Sequence, residues 1–333
     1  MATAVRLFLP GAGSKVSHIR SFMEVPGVSR VIISDIYPWS YGAFVADAAY
    51  QTPPFSAPDF LDAVDRIYRL DRFDICIPIH DASLVLFSEL KKHSHESPFT
   101  LAMNPCETID VISDKVRTYE FFVSHDLPTL RLWTLPEFLG LDRPCFPCYL
   151  KPRRIDLRGT SRAAFMTIED SHDLAYVAQK LRGREADFVV QEHAEGTEIN
   201  LDFFCDGHGS VKSVVPLKRL AMGASRGISR GEIVFDGRFQ AYVERIASHL
   251  RFWGANQVQV FADGHGQLKF IEINGRFSGS SIFVKAAGVN YFDYFIKLVR
   301  GEDIEIAEQP RPLRMTSWES PHFYPESPMK VLT

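Results

Sequence analysis

Cysteine is scarce in this 333-residue sequence, five copies in all. An odd, low count argues against a disulfide framework and suits a reducing compartment. Cys145 and Cys148 have the spacing of a redox pair or half a zinc site. No second pair or His-x3–5-His follows, a proline precedes each, and Cys148 opens the apolar run Cys148-Tyr149-Leu150, so a structural role is the simpler reading. Long apolar runs are missing too, and with them a membrane span. Met1–Ala4 leads directly into a strand, so a signal peptide is not expected and the cytoplasm is. Charge of one sign is not in excess: 37 Lys and Arg against 41 Asp and Glu give −4, which offers nothing for nucleic acid or an anionic membrane to bind. There is no internal repeat, no low-complexity segment and no Ser-His-Asp or Cys-His arrangement of the kind nucleophilic catalysis uses. What remains is an ordinary globular composition, 46% apolar and 23% charged, long enough for two or three domains.

The chain opens with the strand Val5–Leu9, the turn Pro10-Gly11-Ala12-Gly13-Ser14, a helix striped by Val16, Ile19, Phe22 and Met23, and a strand from Val28 ending at Asp35. That is the opening of a dinucleotide fold. Its third glycine would fall on Val16, and the Lys-Ser/Thr ending of a P-loop is absent, so Gly11 and Gly13 read as turn glycines of a Rossmann-like unit. An NAD-dependent dehydrogenase using Gly11, Gly13 and Asp35 is the minor alternative. Helical spacing over 58–70 and the buried strand Asp74–Ile79 follow. His80-Asp81 sit where that strand ends, the edge at which open parallel sheets bind ligands. Asp81 is therefore a candidate substrate residue, with helix capping at 83–90 the alternative. A boundary falls near Asn104-Pro105.

Further on, Ser113 or Asp114 caps a helix and sets Lys115 in its first turn, where a bound anion would rationalise the cation. A strand ends in Lys151-Pro152. The basic segment Arg153–Arg162 contains Gly159, whose main-chain amides could cradle phosphates. Phe188–Glu192 is a strand, Glu198–Cys205 alternates with Ile199, Leu201 and Phe203 on one face, and Val211–Pro216 pairs with it. Leu217–Gly231 is basic and glycine-rich and reads as mobile. The stripe Phe239, Val243, Ile246, Ala247 and Leu250 is a helix stopped by Gly254.

The segment Asn256–Ser281 carries the chemistry. Two alternating runs flank Asp263-Gly264-His265-Gly266, an antiparallel hairpin. With that four-residue loop, Gln259 faces Phe270 and Gln257 faces Glu272. Gln257, Gln259, Glu272 and Asn274 then share one face, and Val258, Val260, Ile271 and Ile273 the other. Carboxylate and amide oxygens with Arg276 close behind suit a hard cation that holds a phosphate.

The order of these motifs resembles the ATP-grasp superfamily over about residues 5–300: Ser-Asp-Lys before a helix, a strand ending Lys-Pro, a glycine loop, Gln-Glu-His-x3-Thr-Glu, a glycine-rich segment, then Gln-x-Gln…Glu-x-Asn-x-Arg. It is most similar to single-copy relatives of the carbamoyl-phosphate synthase large subunit and biotin carboxylase. The resemblance implies an α/β architecture: a Rossmann-like domain over 1–107, an α+β ATP-grasp domain over 108–310 with a lid subdomain at about 130–190, and a tail over 311–333. It implies ATP as cofactor, phosphates held by Lys115 and Lys151 under the loop at Gly159, adenine near Glu192 and ribose at Glu198. Gln259, Glu272 and Asn274 would bind one or two Mg2+ ions, and Arg276 with Lys151 would act on the transferred phosphate. Arg226 and Arg230 would lie near the acceptor. The chain departs from the family with Gly275 where proline is frequent, Gln257 where the synthases have Asn, and Gly279 where they carry Arg.

The function implied is a carboxylate–amine ligase forming an amide through an acyl phosphate, with small amino acid-like substrates and a homodimer allowed. The alternatives are a bicarbonate-phosphorylating carboxylase or carbamoylating enzyme and a non-catalytic nucleotide-binding module.

Overall fold

The computed structural model describes residues 4–93, 97–155, 165–222, 228–317, 321 and 323–332. Five strands, β1 (Val5–Leu9), β2 (Val28–Asp35), β3 (Ala48–Gln51), β4 (Ile75–Cys76) and β5 (Thr100–Leu101), make a parallel sheet in the order β3-β2-β1-β4-β5. Alternation along β1 decides which helices cover which side. Leu7 and Leu9 pack with Ile19 and Phe22 of α1 (Val16–Met23), whereas Phe8 packs with Phe60, Val64 and Ile67 of α2 (Phe60–Leu70) and Leu84 and Phe87 of α3 (Asp81–His93). The glycine turn closes on itself: the Gly13 amide donates to Asp35 at 3.0 Å, and a Cβ at Gly13 would collide with that carboxylate. Phe55 comes within 2.6 Å of where a Cβ on Gly11 would lie.

Helices α4 (Cys106–Ile112) and α5 (Lys115–Ser124) lead into a four-stranded sheet of β6 (Leu132–Thr134), β7 (Cys148–Pro152), β8 (Met166–Ile168) and β9 (Phe188–Glu192), ordered β6-β9-β7-β8. It packs on α6 (Leu135–Leu139) and α7 (Ser171–Lys180) around Leu135, Phe138, Leu150 and Val190. Cys148 is buried there and Cys145 is exposed, both as free thiols.

The third sheet is antiparallel, with β10 (Thr197–Asp206) at its centre between β11 (Val211–Met222) and β13 (Trp253–Ala262), followed outward by β12 (Ile228–Ile233) and β14 (Leu268–Asn274). One face is apolar: Leu201, Phe203, Val258, Val260 and Phe270 pack under Phe121 and Phe122 of α5 and Phe239, Val243 and Ile246 of α8 (Arg238–His249). On the other face, Phe204 and Ala255 meet α9 (Ser281–Ala286) and α10 (Tyr291–Val299), whose Phe283, Phe292 and Phe295 also reach the first sheet. Strong apolar patterning thus welds the two sheets, and the rest of that face is polar.

Two expectations need correction. The β13–β14 loop is one residue longer than expected, Asp263–Gln267, because the Asp263 carboxylate accepts from the amides of both His265 (2.9 Å) and Gln267 (2.8 Å). Ala262 therefore pairs with Leu268, and a bulge then sets Gln259 opposite Glu272 and Gln257 opposite Asn274. An added residue bends the pleat, so Phe270 enters the core while Ile271 leaves it. The shared polar face survives because the two offsets add up to two residues, one full period of the alternation. Leu217–Gly231 is largely the β11–β12 hairpin, with residues 223–227 outside the described residues. The proline-rich tail is built into the fold: β15 (Arg314–Thr316) pairs with β12, and β16 (Lys330–Val331) pairs in parallel with β3.

Candidate functional site

Alternation places seven polar side chains on one face of three neighbouring strands: Glu198, Asn200 and Asp202 of β10, Gln257 and Gln259 of β13, and Glu272 and Asn274 of β14. Direct pairing of Asp202 with Gln257, Gln259 with both Asn200 and Glu272, and Gln257 with Asn274 makes the set contiguous. Asn200 and Asp202 were missed in the sequence, although their signal was present: Glu-Ile-Asn-Leu-Asp alternates as cleanly as the hairpin does.

The buried end of this face orients the exposed end. Asp202 is buried and accepts hydrogen bonds from the hydroxyls of Ser278 and Ser280, each 2.5 Å, and from the Gln257 amide nitrogen at 3.4 Å. That nitrogen also donates to Ser280 at 2.7 Å. With its N–H groups committed, Gln257 turns its carbonyl oxygen outward, where the amide nitrogens of Gln259 (3.5 Å) and Asn274 (3.4 Å) donate to it. Both of those amides consequently direct their oxygens away from Gln257, and Asn274 Oδ1 accepts from Arg276 at 3.1 Å. Which way an amide points follows from the network around it, and here a buried carboxylate fixes the chain. Burial pushes the Asp202 carboxyl up to about 6, against the pull of its hydroxyl and amide donors. The departure at Gln257 is the link between Asp202 and the two outer amides.

Glu272 takes a 3.1 Å hydrogen bond from Asn274. Lys151, at the end of β7, donates to Gln191 of β9 at 2.6 Å. Burial lowers the Lys151 pKa, while the nearby charges of Glu272 and Glu198 counter that and Lys115 adds to it. Lys115 begins α5, whose N-cap Asp114 accepts from the Val116 amide. Two arginines of the basic segment, Arg153 and Arg154, are held on Asp114 at 3.0 and 2.9 Å. Burial opposes ionisation of Asp114, but these arginines keep its carboxyl below the usual carboxylate range. The rest of that segment, Gly159 included, lies outside the described residues, as does Arg226.

Arg276 is clamped by a bidentate pair with Asp81, both bonds 2.6 Å. Asp81 is the first residue of α3, and its carboxylate engages an arginine 195 residues away rather than capping the helix. Although burial raises its pKa, the Arg276 charge prevails and holds Asp81 ionised. Glu198 forms an ion pair with Arg219 through one carboxylate oxygen, and burial raises its pKa despite that partner. Glu192 is half-buried at the end of β9, its amide donating to the Arg131 carbonyl. Arg230 is exposed on β12, between β11 and β15. Gly275, in place of the frequent proline, admits α4: Ile112 Cδ1 lies 2.5 Å from where a Cβ would stand, and the Gly275 carbonyl accepts from Asn104 at 2.9 Å.

A cavity of about 860 Å³ runs from Glu272, Asn274 and Lys115 to the carboxyl ends of β1, β2 and β4. Asp81 and Arg154 line it, whereas Lys151, Glu192 and Glu198 do not, so it lies on the first-sheet side of the polar face. Among the described residues no group of three or more His, Cys, Asp and Glu side chains is placed to hold a metal ion. One carboxylate, Glu272, with the amide oxygens of Asn274 and Gln259 is a donor set suited to Mg2+ that completes its shell with phosphate and water. The buried Asn200 Oδ1, paired across from Gln259, has no hydrogen-bond partner among the described residues, and an orphaned buried oxygen there fits a bound donor or cation.

A family model described as "ATP-grasp in the biosynthetic pathway with Ter operon" matches residues 184–321. No curated protein matches the chain. Among solved structures, Rhizobium etli pyruvate carboxylase is 18% identical with a TM-score of 0.70 over 90% of this chain, which spans only 29% of that protein. N5-carboxyaminoimidazole synthetase from Staphylococcus aureus, complexed with ADP, is 15% identical (TM-score 0.69) over 91% of this chain and 79% of its own. L-amino acid ligase from Bacillus licheniformis is 14% identical (TM-score 0.69) over 94% and 79%. The parallel first sheet, the two antiparallel sheets behind it and the family model over 184–321, less than half of the chain, agree on an ATP-grasp fold.

Proposed function

We propose that the protein is an ATP-dependent carboxylate–amine ligase releasing ADP and phosphate. The observation that carries this reading is the junction of two unlike surfaces. Glu272 and Asn274 line a cavity that extends to the first sheet, with Gln259 paired beside Glu272 and Lys151 near it. In this reading ATP lies on the side of Lys151, Glu192 and Glu198, and a substrate carboxylate enters from the cavity. Gln259, Glu272 and Asn274 would hold Mg2+, whose charge would offset that of the phosphates. A carboxylate oxygen attacks the γ-phosphorus, the bond to the ADP oxygen breaks, and an acyl phosphate results. An amine nitrogen then attacks the acyl carbon, the carbon–oxygen bond to phosphate breaks, and the nitrogen loses its proton to solvent.

The protein's groups act by position and charge. Lys115 and Lys151 neutralise phosphate oxygens, and Arg276, held rigid by Asp81 and Asn274, presents a fixed cation to the transferred group. A clamp built from a half-buried bidentate ion pair needs little reorganisation when charge develops. The same-fold alternative, phosphorylation of bicarbonate, needs far less room than this cavity provides.

Acceptor-dependent ADP release, screened over carboxylates crossed with amines and followed by mass spectrometry of the product, tests the reading. Glu272→Gln should abolish turnover with the fold intact. Wild-type rates in that variant would remove the metal assignment, and stimulation by bicarbonate alone would replace the ligase with a carboxylase.

A further inference from the structure

The cavity has two chemically different ends. Toward the third sheet it offers Glu272, Asn274, Lys115 and Asp81. Toward the first sheet it is walled by Tyr37, Trp39, Tyr41, Pro54 and Phe55. Tyr37, Trp39 and Tyr41 are 67%, 56% and 74% exposed, three large aromatic side chains within five residues that find no core to enter. Exposed aromatic surface of this density is what ligand grooves display.

The backbone beneath these rings is fixed. The Tyr37 amide donates to Asp35 at 2.9 Å, and the Gly42 amide to the Gly13 carbonyl at 2.6 Å. From the tail, the Ser327 hydroxyl donates to the Pro38 carbonyl, and Tyr324 stacks on Phe44 with ring centroids 3.9 Å apart. The tail strand β16 anchors that support to β3. Rings that stay exposed on a loop tied down at several points are pre-organised, and pre-organised aromatic surface binds with little ordering cost.

We propose that this arm binds the body of the acceptor, and that the carboxylate substrate carries an aryl or similarly bulky apolar group. The body lies against Trp39, Tyr41 and Phe55, and its carboxylate reaches the Glu272–Asn274 end. This deepens the ligase reading and rests on it for the direction in which the carboxylate points. A small acceptor such as bicarbonate or acetate would leave the aromatic wall wet.

Equilibrium binding to the full chain tests it, using calorimetry with MgATP analogue present and two matched pairs of probes: L-phenylalanine against L-alanine, and 3-phenylpropionate against propionate. The aryl member of a pair should bind about tenfold more tightly, about 1.4 kcal/mol. Trp39→Ala and Tyr41→Ala should each shrink that ratio by about fivefold. Phe323→Ala, which removes a ring 90% exposed elsewhere on the tail, should leave the ratio unchanged. Equal affinity within both pairs, no binding by either aryl probe, or an unchanged ratio in Trp39→Ala overturns the proposal. ADP release indifferent to the aryl group would sink the arm and spare the ligase. Aryl-selective binding without acceptor-dependent ADP release would do the reverse.

Discussion

Asp202 and His18 titrate in opposite senses on either side of Ser278, and Asp202→Asn should expose the balance between them. Burial lifts the Asp202 carboxyl from 3.8 to about 6. Burial, aided by Lys15, lowers the His18 imidazole from 6.5 to about 3, and its Nε2–H donates to the Ser278 carbonyl at 2.7 Å. For Asp202 the folded state keeps its proton after the unfolded chain has lost it, so the contribution is full below pH 3.8 and lost as pH rises toward 6. At about 1.36 kcal/mol per pH unit the loss is about 3 kcal/mol. For His18 the unfolded chain takes up a proton that the folded state refuses. Its contribution is full above pH 6.5 and falls by about 5 kcal/mol as pH drops toward 3. Between about pH 4 and 6 the two slopes are equal and opposite, so this pair leaves wild-type stability flat. Asparagine at 202 removes only the falling term. Urea unfolding followed by tryptophan fluorescence at successive pH values should show the variant gaining about 3 kcal/mol on the wild type, relative to its own acid baseline, between pH 4 and 6. His18→Asn should give the mirror image. Parallel curves for wild type and Asp202→Asn across that window would refute the argument, because they would mean that Asp202 is already ionised at low pH or never ionises.

Two further outcomes test the geometry. Gln257→Leu cuts the link from Asp202 to Gln259 and Asn274, so the apparent affinity for Mg2+ in nucleotide binding should fall about tenfold, with about 1–3 kcal/mol of stability lost. Unchanged metal dependence would count against the relay. Gly275→Ala should cost about 1–3 kcal/mol in thermal unfolding, because its Cβ meets Ile112 Cδ1. That cost should shrink in an Ile112→Val background, which deletes only the Cδ1 methyl, and additive effects would show that the contact is relieved elsewhere.

Much of the site was legible because β-strands alternate. Gln-x-Gln, Glu-x-Asn and Glu-x-Asn-x-Asp each declare a polar face on their own, and the apolar residues between them declare the core. The helical stripes and the position of Asp81 beyond the end of its strand followed from local pattern in the same way. Register did not, because a five-residue turn and a bulge three residue pairs beyond it each shift pairing by one, and a total shift of two leaves no trace in the alternation. The same limit hid β15 and β16: short strands in a proline-rich tail pair with distant partners, Arg230–Glu232 for β15 and Tyr50–Gln51 for β16, and no local periodicity encodes that.

Sequence alone therefore determined the longer elements and which face of each is polar, since those depend on neighbours along the chain. Tertiary structure alone decided the partners: Asp81 on Arg276, Asp202 beneath Gln257, two arginines on Asp114, and the tail beneath the Trp39 loop. Each of these joins groups far apart in sequence. Such contacts exist only after burial has brought the sheets together, and only then do they fix which amide, carboxylate or ring faces the cavity.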